Sequence, residues 1–135
     1  MITEFTITDW NSFVRAIRDI AVREHYQMWY RGQKDYAWGL IPSVQRPGYH
    51  RKRSEQYMAT NFMIQTMRLK RDSPEQYDRS GWLALMQHYG LPTRLLDWSE
   101  SPLVALYFAL SGSGADDAAV WVLNPMRLNR KMGYG

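Results

Sequence analysis

The chain has 135 residues, 45% of them hydrophobic, with 6 Trp, 9 Tyr and 4 Phe, which excludes a disordered chain and fits one packed domain. Seventeen Lys and Arg against 13 Asp and Glu give a net charge of +4, enough to favour anionic partners but too little to identify a nucleic-acid binder. Zero cysteines exclude disulfides and thiolate metal sites, and no apolar run reaches the ~20 residues that span a bilayer.

Met1–Phe5 has neither the basic lead nor the apolar run of a secretory signal, so a cytoplasmic protein with no membrane partner is expected. Thr8 or Asp9 caps a helix predicted to run to about Glu24, with Trp10, Phe13, Val14, Ile17, Ile20 and Ala21 as its apolar face. Gln27 to Arg31 follows as a short aromatic strand ended by Gly32. The stretch 35–43 reads as a loop or a second extended segment, and Pro42, Pro47 and Gly48 keep helix out of it. Tyr57, Met58, Phe62, Met63, Ile64 and Met67 predict a long helix from about His50 to Arg71. Ser73-Pro74 starts another short element, and a helix from Gly81 to Tyr89 is ended by Gly90 and Pro92. Thr93 to Trp98 is predicted as a strand. Ser101 then caps a helix with Pro102 at its first position, running to about Leu110, with Leu103, Val104, Leu106, Tyr107 and Leu110 as core. After a flexible turn over 111–117, Ala118 to Leu123 forms an apolar strand stopped by Asn124-Pro125. The class is α+β, a small mixed sheet with flanking helices.

Two clusters carry the chemistry. Arg31, at the end of its strand between Tyr30 and Gly32, offers a rigid fork of donors to a phosphate or carboxylate, and the glycine lets a ligand approach the backbone; equally, such an arginine holds a loop by bonding carbonyls. The run from His88 to Ser101 gathers titrating and donor groups just before a helix N-terminus, a natural anion site. His88 is a candidate general acid or base, or a helix-end packing residue. Arg94 and Asp97, three apart on a strand, need not pair, and Asp97 is placed to accept backbone donors at the start of the following helix. Ser43 and Arg46 read as a turn. The basic run Arg51-Lys52-Arg53 is a solvated face or a phosphodiester contact. His25, His50 and His88 are scattered and no carboxylate stands at metal-ligand spacing with them, so no metal is expected. Neither a Gly-rich phosphate loop nor a serine nucleophile elbow occurs.

Trp29-Tyr30-Arg31-Gly32-Gln33, then Trp38-Gly39-Leu40-Ile41-Pro42-Ser43 with Arg46, then His88-Tyr89-Gly90-Leu91-Pro92-Thr93-Arg94-Leu95-Leu96-Asp97-Trp98 running on through Ser101 to Ala109, together resemble the FRG domain. This family of bacteria and their phages is named for its Phe/Tyr-Arg-Gly motif, and the resemblance covers roughly residues 25 to 125. The same stretches resemble the ADP-ribosyltransferase fold, in which an early-strand Arg or His holds NAD and a Ser/Thr-bearing strand leads into a helix of Ala-x-x-Phe-Ala type. That resemblance implies a shortened transferase-like core with NAD as cofactor and a toxin or phage-defence setting, acting on a nucleic-acid or protein acceptor. It implies that Arg31 clamps a phosphate or ribose, that Ser99 and Thr93 position the nicotinamide ribose, and that Tyr30 or Trp98 stacks on a ring. Gly32, Ser43 and Arg94 complete the implied nucleotide set.

The transferase class uses a catalytic glutamate on a late strand, and after Asp117 this sequence has no Asp or Glu. Either the late strand is missing from a shortened domain, or His88, Asp97 or Glu100 substitutes, or the domain binds without catalysing. Two other classes remain open. In one, the chain is a non-catalytic interaction module in which Arg31, Arg94 and Asp97 tie loops together. In the other, it binds nucleic acid through Arg46, Arg51, Lys52, Arg53, Arg68, Lys70 and Arg71.

Overall fold

The computed structural model describes residues 2–46, 54–69, 73–112 and 117–133. Among them are five helices and a two-stranded antiparallel sheet, which bears out the α+β class. They are divided between two compact units, one of Met1–Trp38 with Trp98–Gly135 and one of Gly39–Asp97.

The first unit begins with helix α1, Trp10–Glu24. A reciprocal cap holds its start: the Asp9 carboxylate accepts from Ser12 N at 2.7 Å while Ser12 Oγ accepts from Asp9 N at 3.0 Å. Those bonds keep the Asp9 carboxyl below its usual range. Phe13 and Ala16 are buried, whereas Trp10, Val14 and Ala21, expected on the apolar face, are exposed. Strand β1, Trp29–Gln33, pairs antiparallel with β2, Ala119–Leu123, setting Arg31 opposite Trp121 and Gly32 opposite Val120. Helix α4, Pro102–Leu110, is capped by Ser101 Oγ and packs on β1. Met28, Tyr30 and Ala105 form the core, with Ile17, Ile20, Val120 and Val122 against it.

Two sequence expectations change here. β1 begins two residues later than Gln27 and runs through Gly32 rather than ending there. Asn124-Pro125 does more than stop β2, because it starts a helix, α5, Pro125–Lys131. Asn124 Oδ1 caps that helix by accepting from Arg127 N at 2.9 Å, and Pro125 fills the first turn. Asn124 also donates to the Glu24 carboxylate at 2.6 Å, which pairs with Arg127 at 3.2 Å.

The second unit contains a 3-10 turn at Ser43–Gln45, helix α2, Ser54–Leu69, and helix α3, Arg79–His88. α2 packs on α3, with Phe62 against Trp82 edge-on and against Tyr89. Asp78 caps α3 by accepting from Gly81 N at 2.9 Å, so the helix starts at Arg79 rather than Gly81, and the same bond lowers the Asp78 carboxyl below its usual range. The element expected from Ser73-Pro74 is only a turn before this cap. His50, the run Arg51-Lys52-Arg53, Lys70 and Arg71 lie outside the described residues, as do Pro47, Gly48 and most of the turn at 111–117.

The strand expected over Thr93–Trp98 does not form. Thr93 N–H donates to Ser43 Oγ at 3.1 Å, its carbonyl accepts from Val44 N at 3.3 Å, and Leu95 N–H donates to Thr93 Oγ1 at 3.1 Å. A threonine hydroxyl that takes the amide two residues on diverts the backbone from any sheet ladder. Only Ser99, beyond that turn, reaches the sheet: it exchanges backbone bonds with Tyr30 at 2.7 and 2.8 Å.

Candidate functional site

Tyr30-Arg31-Gly32 lies in the middle of β1, between β2 and the Ser99 bridge. Strand side chains alternate between faces, so Tyr30 and Gly32 share one face and Arg31 and Gln33 the other. The first face meets α4. A Cβ on Gly32 would fall 2.6 Å from Ala109 N and 2.9 Å from the Ala105 carbonyl carbon, with the Ala105 oxygen closer still. The backbone that approaches this glycine is therefore that of α4, where the sequence suggested a ligand.

Because α4 sits so low, its small residues face inward. Ala105 and Ala109 are buried, while Leu103, Val104, Tyr107 and Leu110, expected in the core, are exposed. Tyr30 is buried on this face, and burial raises its phenol above the ordinary value. Ser99, paired directly with Tyr30, is on the same side, and its Oγ accepts from Ser101 N at 3.0 Å at the start of α4. The structure thus brings Tyr30, Gly32 and Ser99 together as the seat of α4.

Arg31 occupies the opposite face, directly across from Trp121. Its Nε is shielded from solvent, as is Trp121 Nε1, which has no hydrogen-bond partner among the described residues. Gln33, next on the same face, is buried and donates from Nε2 to the Trp38 carbonyl at 2.8 Å. Arg31 Nε and the Trp121 indole N–H, both donors only, are thus shielded from solvent on residues that pair across the two strands. In the sequence Trp121 is one more apolar residue of a strand; its importance comes from the register, which no local pattern encodes.

The His88–Asp97 motif belongs to the second unit. Thr93 is fully buried, and its hydroxyl is bonded to Gln87 Oε1 as well as to Leu95 N. Ser43 Oγ bonds both the N–H and the carbonyl of Thr93, and Gln87 Nε2 donates to the Asp97 carboxylate at 2.8 Å. Asp97, Gln87, Thr93 and Ser43 thus form one continuous network that joins α3, the segment after it and the 3-10 turn at Ser43–Gln45. Gln87 is absent from the residues that the sequence singles out, although it stands on the last turn of α3, beside His88.

Arg94 makes a two-pronged ion pair with Glu55 on the first turn of α2, Nε to Oε1 at 3.0 Å and the terminal nitrogen to Oε2 at 2.6 Å. The Arg94 bond holds the Glu55 carboxyl below its usual range and raises the arginine further. His88 is exposed at the end of α3, edge-on to Tyr89 with ring centres 5.4 Å apart. Of the residues singled out from the sequence, then, Ser43, Thr93 and Asp97 are brought together, Arg94 is paired with Glu55, and Arg31 faces Trp121. No group of three or more His, Asp or Glu placed to hold a metal occurs among the described residues, and none of their helices is long and apolar enough to cross a membrane.

The sequence model of one family, described as the FRG domain, matches residues 26–118, more than half of the chain. No curated protein and no solved structure matches it.

Proposed function

The chain belongs to the FRG domain family, and from that premise we propose that it binds NAD or a related nucleotide through the sheet face that carries Arg31 and Trp121. The observation behind this reading is the solvent-shielded Trp121 Nε1, a donor with no partner among the described residues, directly across the strands from Arg31. A buried donor without an acceptor costs about 1–3 kcal/mol, and an anionic ligand would repay that cost. The guanidinium suits the pyrophosphate, whose oxygens take paired N–H donors, and the indole N–H suits a third oxygen. NAD would supply two phosphates and an electrophilic ribose carbon. The residues that would hold it are Arg31 and Trp121, with Gln33 beside them.

The proposed role is binding. Of the two groups put forward as catalytic, His88 is exposed edge-on to Tyr89 and Asp97 accepts from Gln87. The network around Thr93 favours a structural role for that motif.

Calorimetric titration with NAD tests the reading. Saturable binding is expected for the wild type, with its loss in Arg31→Ala and at least about tenfold weakening in Trp121→Phe, which keeps an aromatic ring and removes the N–H. Arg31→Lys should also weaken binding, because a point charge does not reproduce the fork. No heat at millimolar NAD, or equal affinity in Trp121→Phe, would overturn it.

A further inference from the structure

α4 is apolar on every side: Pro102-Leu103-Val104-Ala105-Leu106-Tyr107-Phe108-Ala109-Leu110 contains no polar side chain other than the Tyr107 hydroxyl. A helix of this composition belongs in an interior, with neighbours all round. Here only one side is covered. Ala105 and Ala109 are 1% and 5% exposed, while Leu103, Val104, Tyr107, Phe108 and Leu110 are 55%, 43%, 67%, 55% and 67% exposed. At about 100° per residue these five fall on one continuous arc opposite the two alanines. We propose that this arc is the interface of a two-fold homodimer in which α4 of one copy packs on α4 of the other.

Two observations choose a second copy as the occupant. The first is charge. The unit that carries α4 has eight Lys and Arg against eight Asp and Glu, whereas the other unit has nine against five and so holds the whole net charge of +4. No charged residue occurs from Pro102 to Gly114. Two identical chains therefore meet without net repulsion through this unit, and at this arc without any charge to desolvate. A charged partner would find nothing here to pair with.

The second is area. Five large side chains exposed to this degree present roughly 500 Å² of apolar surface, above what isolated monomers usually leave in one patch. A two-fold axis uses the same patch twice, so pairing removes about 1,000 Å² in all, the lower bound for a specific interface. Tyr107, near the middle of both the helix and the arc, then lies close to its own mate. The arc is on the side of α4 turned from β1, and Arg31 is on the side of β1 turned from α4, so the dimer leaves the proposed nucleotide face untouched.

Sedimentation equilibrium on the whole chain reads the outcome. The wild type should show about twice its 15.9 kDa mass at roughly 100 µM. Leu103→Glu with Tyr107→Glu should give the monomer mass with unchanged far-UV circular dichroism, since both positions are exposed in the single chain. Trp29→Glu, exposed on the Arg31 face of β1 and so turned from α4, should leave the dimer intact. The cysteine-free sequence permits a second readout that does not depend on the charged variant folding. Tyr107→Cys should cross-link to its mate under mild oxidation and Trp29→Cys should not. A monomeric wild type at this concentration overturns the proposal, as does a dimer that persists in the double variant or cross-links equally at both cysteines. Binding of this face to some other protein by a monomeric chain would also overturn it.

Discussion

Replacing Gly32 by alanine adds one methyl group, and the structure fixes where it must go. The new carbon falls 2.6 Å from Ala109 N and 2.9 Å from the Ala105 carbonyl carbon, against ordinary contacts that begin near 3.4 Å. Both atoms belong to the backbone of α4, so no side-chain rotation relieves the clash and the helix must retreat by about 1 Å. That retreat loosens α4 from β1, including the contacts of Ala105 with Met28 and Tyr30. Overpacking of this kind costs about 1–3 kcal/mol when neighbours can adjust, and a rigid helix puts it at the upper end, about 3 kcal/mol.

For a chain of 135 residues that loss corresponds to a melting temperature lower by about 10 °C. Gly39→Ala is the control, because its Cβ would meet only Ile41 side-chain carbons at 3.5 and 3.7 Å. It should be neutral or stabilising by about 0.5 kcal/mol through the unfolded chain. Thermal unfolding followed by far-UV circular dichroism and by tryptophan fluorescence compares the three proteins. A Gly32→Ala variant that melts within about 2 °C of the wild type would refute the assignment of this glycine to helix packing.

Thr93→Val leaves Gln87 Oε1 and Leu95 N–H without their shared partner in a fully buried place, and should cost about 1–3 kcal/mol in urea unfolding while Thr93→Ser costs much less. Arg94→Ala should cost only about 0.5–1 kcal/mol near neutral pH, because the guanidinium is 61% exposed and screened by water, and not the larger penalty of a buried charge left unpaired. Since Arg94 lowers the Glu55 carboxyl from 4.5, the pair stabilises above that value; the gap between wild type and variant should close as pH falls below it and Glu55 takes a proton, which urea midpoints from pH 7 down to about pH 3 would show. Asn124→Ala removes the cap of α5 and the donor to Glu24 together and should cost about 1–2 kcal/mol by the same measurement, with Asn124→Asp keeping the cap but setting a second carboxylate beside Glu24.

The regular elements are readable where local chemistry and packing agree. Asp9 before Trp10 and Ser101-Pro102 before Leu103 both start helices in the fold as their residue types demand. Asn124-Pro125 carries the same signature as Ser101-Pro102, yet after an apolar strand it reads as a terminator; a cap and a breaker look alike until the residues beyond them are weighed. Thr93–Trp98 departs from expectation for a different reason. Its β-branched and apolar residues suit a strand, but the Thr93 hydroxyl captures Leu95 N–H, and Ser43, fifty positions away, takes the Thr93 backbone. A bond at that separation leaves no trace in the local pattern. The apolar period of α4 misleads in the same way, because a helix resting on a glycine buries its alanines and turns its large residues outward.

The site divides along the same line. Motifs are strings of neighbours, whereas a strand sends neighbours to opposite faces, so Tyr30, Arg31 and Gly32 have distinct tasks: Tyr30 fills the core, Gly32 admits α4, and Arg31 alone faces the other way. The glycine and the tyrosine are then needed to hold β1 against α4, and they support a binding role only by fixing where Arg31 stands. The partner that gives Arg31 its chemical setting, Trp121, is ninety residues on and is found only through the register of β1 on β2. A ligand at this face would therefore depend on the sheet and not on the motif: a chain with the same three residues but another register would keep α4 in place and lose the paired donors. Trp121→Phe separates those two contributions, since it leaves the packing of α4 alone and removes a single N–H from the face that Arg31 occupies.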